Sequence, residues 1–306
     1  MKNIEWTEEV AIAFRIGDLE IRWYGIFIMF GFLFAIILSV VKMKWRYKIS
    51  EDPFYYFIFL GVPLAIIGAR FWSCCIGNTP WFEIFNIRKG GLAVEGGVMA
   101  VVLAACIFMP LILCNPRYHV RDCFGPTPVV AKCSMWLYFD AVVPTILLGQ
   151  FIGRWGNYFN GEVYGKIVDD NKALCQFLDN CLPYMNINGH YHLPLFLIEG
   201  LINLTGFFIV YLGLEFIKTR KAGDLSFFYF IWYGIVRLCL EPLREEQFTY
   251  SLTYYISGVW VAIGILLIVF NHCLSSKWRE IKIWETVKAK RLIKRPIDQR
   301  MYFAGM

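Results

Sequence analysis

Gly153-Arg-Trp-Gly-Asn-Tyr-Phe-Asn-Gly-Glu-Val-Tyr-Gly165 is the stretch that decides how this chain folds. It follows directly on an apolar segment, Ala141–Ile152, which together with its flanks is long enough to cross a bilayer. An arginine, two asparagines, a glutamate and four glycines therefore stand where lipid gives way to water. Polar groups at that depth are costly unless they are paired, so the run predicts a membrane helix that ends in a polar site.

The composition also indicates a membrane protein. The chain is 58% hydrophobic and 18% aromatic, with a mean hydropathy of +0.51, whereas soluble domains are about 45–50% apolar. Seven segments reach the roughly 20 residues that span a bilayer, which predicts an all-α membrane protein with seven transmembrane helices. The segments are Trp23–Val41, Phe54–Trp72, Leu92–Leu113, Trp136–Ile152, Leu193–Phe216, Leu225–Leu240 and Leu252–Leu274. Because the first begins only after a stretch of mixed polarity, we expect no cleavable signal peptide.

The positive charge is distributed asymmetrically. The net charge is +6, and basic residues cluster in alternate connections at 42–48, 117–132 and 218–221, and again in the tail at 277–300. By the positive-inside rule these regions are cytoplasmic, so we expect the N-terminus outside and the C-terminus inside. This distribution argues against a nucleic-acid partner. The tail either rests on anionic membrane lipid or is simply solvated.

The topology divides the chain into three parts. Residues 1–22 form an extracytoplasmic arm whose apolar face suits a membrane surface. Residues 23–275 form the seven-helix domain, and its outer connection at about 154–192 is long enough to fold as a small extracytoplasmic cap. Residues 276–306 form a basic cytoplasmic tail.

The cysteines and histidines do not indicate a metal centre. The ten cysteines show no metal-ligand spacing. Cys175 and Cys181 lie in the predicted cap and are either a disulfide or two free thiols. His190 and His192 are separated by one residue, which favours a role in the loop over a role as metal ligands. We therefore expect no metal site.

The predicted orientation brings polar residues from five spans to one level. Spans that run inward begin at the outer side, and spans that run outward end there. The residues that meet this condition are Tyr24, Arg70, Glu95, Arg154 and Arg237. A single arginine at a helix end would only snorkel to the interface, but a set of ionisable groups at one depth predicts a functional site near the outer leaflet. In the cytoplasmic half, Asp140 is the main comparable group.

The run Gly153–Gly165 has the residue types of a site that binds a phosphate or a polyol. Asn157 and Asn160 are three residues apart and share a helical face with Arg154. A guanidinium group binds a phosphate through two parallel hydrogen bonds, and side-chain amides bond its oxygens or a sugar-alcohol headgroup.

A second cluster closes the sixth span, where Arg237, Glu241 and Arg244 are spaced four and three residues apart. They share one face if the turn stays helical, although Pro242 disfavours helical geometry at Glu241. Two interpretations remain open: the cluster is part of a site, or an Arg237–Glu241 ion pair only stabilises the helix end.

A third cluster is the glycine-rich run Gly90–Gly97, in which glycines bracket Glu95. A carboxylate in such a place is partly desolvated and suited to accept a proton near neutral pH. Alternatively, the glycines serve close packing between membrane helices.

Together the three clusters resemble the signature sequences of the prolipoprotein diacylglyceryl transferase family. The family run G-R-x-G-N-x-x-N-x-E-x-x-G is matched by Arg154, Gly156, Asn157, Asn160, Glu162 and Gly165. The resemblance extends in order from about Ile21 to Phe270 and includes Arg22–Gly25 near its start and Tyr233–Arg244 near its end.

The chain departs from the family pattern at two places. Glu95 stands where the family commonly has a histidine. The loop before the fifth span is only loosely similar, with Pro194 and Glu199 retained. If the family histidine is the proton acceptor, Glu95 must substitute for it or another group must serve.

The resemblance implies an enzyme of the bacterial cell membrane with its active site toward the outer leaflet. It implies transfer of the diacylglyceryl group of phosphatidylglycerol to the cysteine thiol of a prolipoprotein signal peptide, which yields a thioether and glycerol phosphate. No metal or organic cofactor is implied. We expect a monomer surrounded by membrane lipids.

The resemblance also implies roles for residues. Arg154 and Arg237 would neutralise the phosphate as its C–O bond breaks, and Glu95 would take the thiol proton. The residues expected to bind or orient the lipid are Arg154, Tyr24, Asn157, Asn160, Glu162, Gly165 and Glu241. The competing function is transport of a lipid or small molecule, which requires ionisable groups near the midplane and access from both sides.

Overall fold

The computed structural model describes residues 5–75, 80–84, 94–115, 120–122, 129–131, 134–217, 219–248 and 251–274. Its helices are α1 (Glu8–Ala11), α2 (Trp23–Val41), α3 (Asp52–Cys75), α4 (Val94–Leu113), α5 (Met135–Val142), α6 (Thr145–Asn160), α7 (Lys172–Cys181), α8 (Leu195–Phe207), α9 (Asp224–Leu240) and α10 (Ser251–Val269). Three antiparallel strand pairs accompany them: β1 (Ile12–Ile16) with β2 (Leu19–Arg22), β3 (Val120–Asp122) with β4 (Val129–Ala131), and β5 (Asn186–Ile187) with β6 (His190–Tyr191).

Within the described residues, five helical segments are long and apolar enough to cross a membrane. They are Trp23–Tyr47, Asp52–Cys75, Met135–Asn160, Leu195–Phe216 and Thr253–Cys273. The other two predicted spans coincide with α4 and α9. The helical membrane class expected from the sequence is therefore confirmed.

The fourth predicted span is longer than the sequence suggested. We expected it to end at Ile152, but α6 continues to Asn160. It ends at Gly161, whose φ of 61° is left-handed and whose N–H contacts the carbonyls of Asn157 and Tyr158. This is the usual glycine termination of a helix. Arg154 consequently lies inside a helix and not at its end.

The chain forms two compact units. Of the described residues, the first comprises 5–41 and 139–274, and the second those within 42–138. In the first unit α2 packs on α6, α6 on α8, and α9 on α10. The helices α2 and α6 approach closely at Gly31, where a Cβ would lie 3.0 Å from the carbonyl oxygen of Gly149. Small residues at such crossings are typical of membrane helix pairs.

The predicted cap lies within the first unit. It contains α7 and the β5–β6 hairpin, and its apolar core joins Leu178, Met185 and Ile187 to Tyr158 and Phe196 of the flanking helices. Cys175 and Cys181 are free thiols in this structure, so the open question between a disulfide and two thiols is answered here by two thiols.

Asp169 holds the cap hairpin. Its Oδ2 lies 2.6 Å from Nδ1 of His190, and its Oδ1 accepts a 2.7 Å hydrogen bond from the Tyr191 N–H. The hydrogen bond with His190, followed by the bond from Tyr191, lowers the pKa of Asp169 below its ordinary value. His190 therefore stabilises the loop, which is the role that the sequence favoured.

The N-terminal arm is fastened to the end of α6 and to the cap by Trp6. The indole Nε1 donates a 2.9 Å hydrogen bond to the carbonyl of Phe159, and the Trp6 N–H donates to the carbonyl of Asn186 at 2.8 Å. The Trp6 ring lies against Gly161, where a Cβ would collide with it. A side chain at Gly161 is therefore excluded both by its positive φ and by the arm.

The second unit is built on the packing of α3 against α4. Gly96 lies against Gly68 and Trp72, and a Cβ on Gly97 would lie 3.1 Å from the carbonyl oxygen of Ala65. Gly96 and Gly97 thus serve close packing between the two helices, whereas Gly90 and Gly91 lie outside the described residues. Glu95 belongs to the first turn of α4, but its side chain lies outside the described residues, as do residues 90–93 and the basic tail.

Candidate functional site

Five charged side chains of the first unit form one continuous chain of ion pairs. Arg154 donates a hydrogen bond to Oε1 of Glu199, whose Oε2 lies 3.0 Å from Nη2 of Arg244. Oε2 of Glu241 lies 3.2 Å from Nε of Arg244 and 3.5 Å from Nη2 of Arg237. The order is Arg154, Glu199, Arg244, Glu241, Arg237, and we call this set the ion chain. It joins the two arginines that the sequence singled out.

The ion chain is withdrawn from solvent. Glu199 and Glu241 are each 1% exposed, and Arg244 is 5% exposed. Moving an ion out of water costs several kcal/mol, which its partners must offset. Three guanidinium groups stand against two carboxylates, so the set carries one excess positive charge. Its members are thus held by one another and remain attractive to an anion.

Arg244 is the most enclosed of the three guanidinium groups. Burial, the largest effect, lowers its pKa to about 10, and the charge of Arg237 acts in the same direction. The charges of Glu199 and Glu241 oppose this change. The group is therefore still protonated at neutral pH.

Two local features of the backbone place the ion chain. Gly200 lets α6 approach α8, since a Cβ there would lie 3.3 Å from Cδ2 of Phe151, next to Cβ of Arg154 at 3.8 Å. After α9 the chain tightens into a 3-10 turn over Glu241–Leu243, with Pro242 in its first positions. Pro242 thus shortens the helix without removing Glu241 from the face shared with Arg237 and Arg244.

Gly165 supports Arg244 through its backbone. The two residues form an antiparallel bridge, and the Gly165 N–H donates a 3.0 Å hydrogen bond to the Leu193 carbonyl. A Cβ at this position would lie 2.8 Å from Cβ of Leu193 and 2.9 Å from the carbonyl oxygen of Leu243. The absence of a side chain at Gly165 is thus required by packing around Arg244.

Tyr24 and Glu162 approach the same region from α2 and from the turn after α6. The ring of Tyr24 packs on Gly156, where a Cβ would lie 2.8 Å from its Cδ2. Asn160 donates a hydrogen bond from Nδ2 to Glu162 Oε1. Tyr24 thus packs on α6 two residues after Arg154, and Asn160 holds Glu162 at the end of the same helix.

Some polar atoms of this region have no hydrogen-bond partner among the described residues. The buried atoms without such a partner include both carboxylate oxygens of Glu241 and Oδ1 of Asn160. Glu241 is held only by the two longer ionic contacts. Such atoms are available to a polar ligand.

Sequence reasoning gave too little weight to Glu199 and Arg244. Neither was among the expected site residues, yet each bridges two partners in the ion chain. The signal was present, because Glu199 is a lone carboxylate within the apolar run Leu195–Phe207. An ionisable residue inside a membrane helix is functional by default.

Two of the expected site residues belong to the second unit. Arg70 is buried there, and its Nε donates a 3.2 Å hydrogen bond to the carbonyl of Ile84. Glu95 begins α4. Among the residues that the structure describes, no group of three His, Cys, Asp or Glu side chains is arranged to hold a metal ion.

The expectation of an almost uncharged opposite half was wrong. Asp140 is 0% exposed and lies 2.9 Å from Nη1 of Arg220, which also pairs with Glu215 at 2.9 Å. Asp140 additionally accepts hydrogen bonds from the backbone N–H groups of Gly223 and Ser226 at the start of α9. Glu215 lies near the end of the fifth predicted span and Arg220 in the basic connection after it. Both are buried, and Arg220 pairs with Asp140 and with Glu215.

The fold and the ion chain define a helical membrane protein with a buried ionic network that carries one excess positive charge. A family model described as prolipoprotein diacylglyceryl transferase matches residues 11–270. The chain therefore belongs to the prolipoprotein diacylglyceryl transferase family, as the signature sequences indicated.

Individual relatives agree with the family assignment, and each carries the name phosphatidylglycerol–prolipoprotein diacylglyceryl transferase. The protein of Malacoplasma penetrans is 45% identical over 316 residues, which cover 98% of this chain and 88% of the relative. That of Ureaplasma urealyticum is 44% identical over 83% of this chain and 79% of its own length. That of Streptococcus suis is 33% identical over 87% of this chain and 93% of its own length.

Proposed function

We propose that this protein transfers the diacylglyceryl group of phosphatidylglycerol to the cysteine thiol of prolipoprotein signal peptides, the first step of lipoprotein maturation. The family and the names of the relatives support this reaction. The structural observation that carries it is the ion chain from Arg154 to Arg237. Phosphatidylglycerol has a phosphodiester with one negative charge, which matches the single excess positive charge of the set.

The lipid phosphate is bound between Arg154 and Arg237 in this proposal. Arg154 is fixed by its hydrogen bond to Glu199 and so presents a preorganised guanidinium. Arg237 is held less tightly, by a 3.5 Å contact with Glu241. It is therefore free to turn toward the phosphate as negative charge grows on the departing oxygens.

The chemical step forms one bond and breaks one. The thiolate sulfur of the peptide attacks the glycerol carbon that carries the phosphate, and an S–C bond forms. The C–O bond to phosphate breaks, and its electron pair leaves with glycerol phosphate. The thiol proton goes to a base, for which Glu95 is our candidate. Tyr24, Asn157 and Glu162 orient the headgroup.

The same proposal includes the topology. Seven spans correspond to α2, α3, α4, α5 with α6, α8 with its extension to Phe216, α9 and α10, with the N-terminus outside. The ion chain then faces the outer leaflet of the bacterial cell membrane. The basic connections that the sequence places inside support this orientation. We propose a monomer, since the ion chain is made within one chain.

The transporter alternative is not supported. The relatives carry the name of a transferase. The buried charges around Asp140 are paired with one another and with backbone N–H groups, so they close the opposite end of α9 rather than line a path.

Purified protein, phosphatidylglycerol and a cysteine-bearing signal peptide test the reaction. We expect a peptide heavier by one diacylglyceryl group, observed by mass spectrometry. Glu95→Gln is expected to slow transfer strongly and to change its pH profile, whereas Glu9→Gln, on the exposed arm, serves as the matched control. A wild-type protein that lipidates no peptide would contradict the function, and an unaltered rate in Glu95→Gln would assign proton removal to another group.

A further inference from the structure

A second set of polar groups lies one helical turn from the ion chain. Gln150 precedes Arg154 by four residues on α6, and Asn203 follows Glu199 by four residues on α8. Residues four apart share a helix face, and one turn is about 5.4 Å along the axis. Both residues are therefore displaced from the arginine level in the same direction, toward the middle of their helices.

Asn203 lies where α8 meets two other helices. Gly200, three residues before it, faces Arg154 and Phe151 of α6. Gly206, three residues after it, lies directly against the indole nitrogen of Trp232 on α9. Asn203 thus lies on the side of α8 that faces both α6 and α9.

These groups are buried without the partners that buried polar groups require. Asn203 is 0% exposed, and neither its Nδ2 nor its Oδ1 has a hydrogen-bond partner among the described residues. The same holds for Trp232 Nε1 and Gln150 Oε1, while Gln150 Nε2 donates to the Tyr229 hydroxyl at 3.3 Å. Buried polar groups in native proteins are normally paired, and the rare exceptions require an explanation.

We propose that Asn203 and Trp232 bind the ester carbonyl groups of the diacylglyceryl substrate. The inference rests on the proposed function, since it takes the phosphate to lie at the arginines. The acyl esters of a phospholipid are attached to the neighbouring glycerol carbons, so they lie a few bonds from the phosphate on the hydrocarbon side. An ester oxygen only accepts hydrogen bonds, and Asn203 Nδ2 and Trp232 Nε1 are donors.

The proposal assigns a substrate specificity to these residues. They recognise a glycerol that carries acyl esters and discriminate against one that carries alkyl ethers, which lack the carbonyl. A donor left unpaired in a buried site rejects a ligand without the matching acceptor. Each neutral hydrogen bond is expected to contribute a factor of about three to ten in the efficiency of transfer.

The experiment compares phosphatidylglycerol with its dialkyl ether analogue as donors in mixed micelles with one signal peptide. The wild-type protein is expected to favour the ester lipid about three- to tenfold or more in kcat/KM. Asn203→Leu and Trp232→Phe are expected to bring that ratio close to one through a slower reaction with the ester lipid. Thr205→Val serves as the control on α8, because its hydroxyl bonds the Leu201 carbonyl on the exposed face.

The outcomes separate this inference from the function on which it rests. An ester-to-ether ratio that stays at the wild-type value in both variants overturns it, as does a wild-type protein that uses both lipids equally. If the wild-type protein lipidates no peptide with either donor, the proposed function fails, and the ratio of bound ester to bound ether lipid in native mass spectrometry then tests the inference. Trp232→Phe keeps an aromatic ring and removes the N–H donor, so the test survives if Asn203→Leu does not fold.

Discussion

Glu199→Gln removes one negative charge from the middle of the ion chain while keeping the size of the side chain. Glu199 is 1% exposed and contacts both Arg154 and Arg244. Without it, the set holds three guanidinium groups and a single carboxylate. Breaking a buried ion pair by removing one partner costs about 3–5 kcal/mol. We expect a loss of stability in this range, because the amide nitrogen of Gln cannot accept a bond from either arginine.

Activity is expected to fall further than stability alone explains. Arg154 loses the acceptor that fixes its guanidinium, and a displacement of about 1 Å in a positioned group reduces a rate by about 100-fold. We expect transfer to drop by about this factor at a temperature where the variant is still folded. Thermal unfolding in detergent and mass-spectrometric detection of the lipidated peptide measure the two effects.

A double variant makes the test sharper. Arg244→Met alone leaves the buried carboxylate of Glu199 with one partner fewer. Combining it with Glu199→Gln should cost less stability than the two single changes added together, since residues in one ionic network are coupled. Glu9→Gln, in an exposed ion pair with Arg15, should cost at most about 1 kcal/mol. If Glu199→Gln were as stable as the wild type, the ion chain would not be a connected unit. The same conclusion would follow if the stability losses of the two single variants simply added in the double variant.

Three further changes test other parts of the structure. Arg237→Lys should reduce transfer by about 100-fold or more with little change in unfolding temperature, because an ammonium group does not provide the paired donors of a guanidinium; the transfer assay and thermal unfolding together measure this. Gly161→Ala should lower stability by about 2 kcal/mol or more, through its positive φ and its collision with the Trp6 ring, as measured by thermal unfolding. Asp169→Asn should remove an acid-sensitive contribution to the stability of the cap. The pKa of Asp169 is lower in the folded protein than its ordinary value of 3.8, so the carboxylate stabilises the fold at neutral pH. This contribution is lost as the pH falls from 3.8 through the lower pKa of the folded state. Stability curves against pH for the wild type and the variant measure the contribution, and His190→Ala should have a similar effect.

Matched controls separate each cause from its alternatives. Arg15→Lys, on the exposed arm, should leave transfer unchanged. Gly17→Ala has the same kind of positive φ as Gly161 but no atom within 4 Å of the added Cβ, so the difference between the two variants isolates the contact with the arm. Asp170→Asn tests whether the acid sensitivity belongs to Asp169 itself. Equal stability losses in Gly161→Ala and Gly17→Ala would show that the arm does not press on the turn.

Hydrophobic runs of about 20 residues made the helices predictable. The positions of α2, α3, α8 and α10 follow the sequence closely. The end of α6 was misplaced because a hydropathy argument stops a span at its first charged residue. Arg154 is accommodated inside the helix by Glu199, which comes 45 residues later, and no local pattern shows that pairing.

The site was predictable in its residue types and only partly in its connections. Helical spacing correctly placed Arg237, Glu241 and Arg244 on one face. The link from Arg244 to Glu199 joins two different helical elements, and it depends on how the backbone after α9 pairs with Gly165. Such a connection depends on tertiary packing, which single-sequence periodicity does not describe.

The attachment of Trp6 to Phe159 sets a constraint on how the protein is made. The two residues are 153 positions apart in the chain. At a synthesis rate of about 5–20 residues per second, the ribosome needs on the order of ten seconds or more after Trp6 to deliver its acceptor. During that interval the N-terminal arm has no docking site. The arm is thus made well before the helix end on which it docks, and a membrane insertase must tolerate it undocked until then.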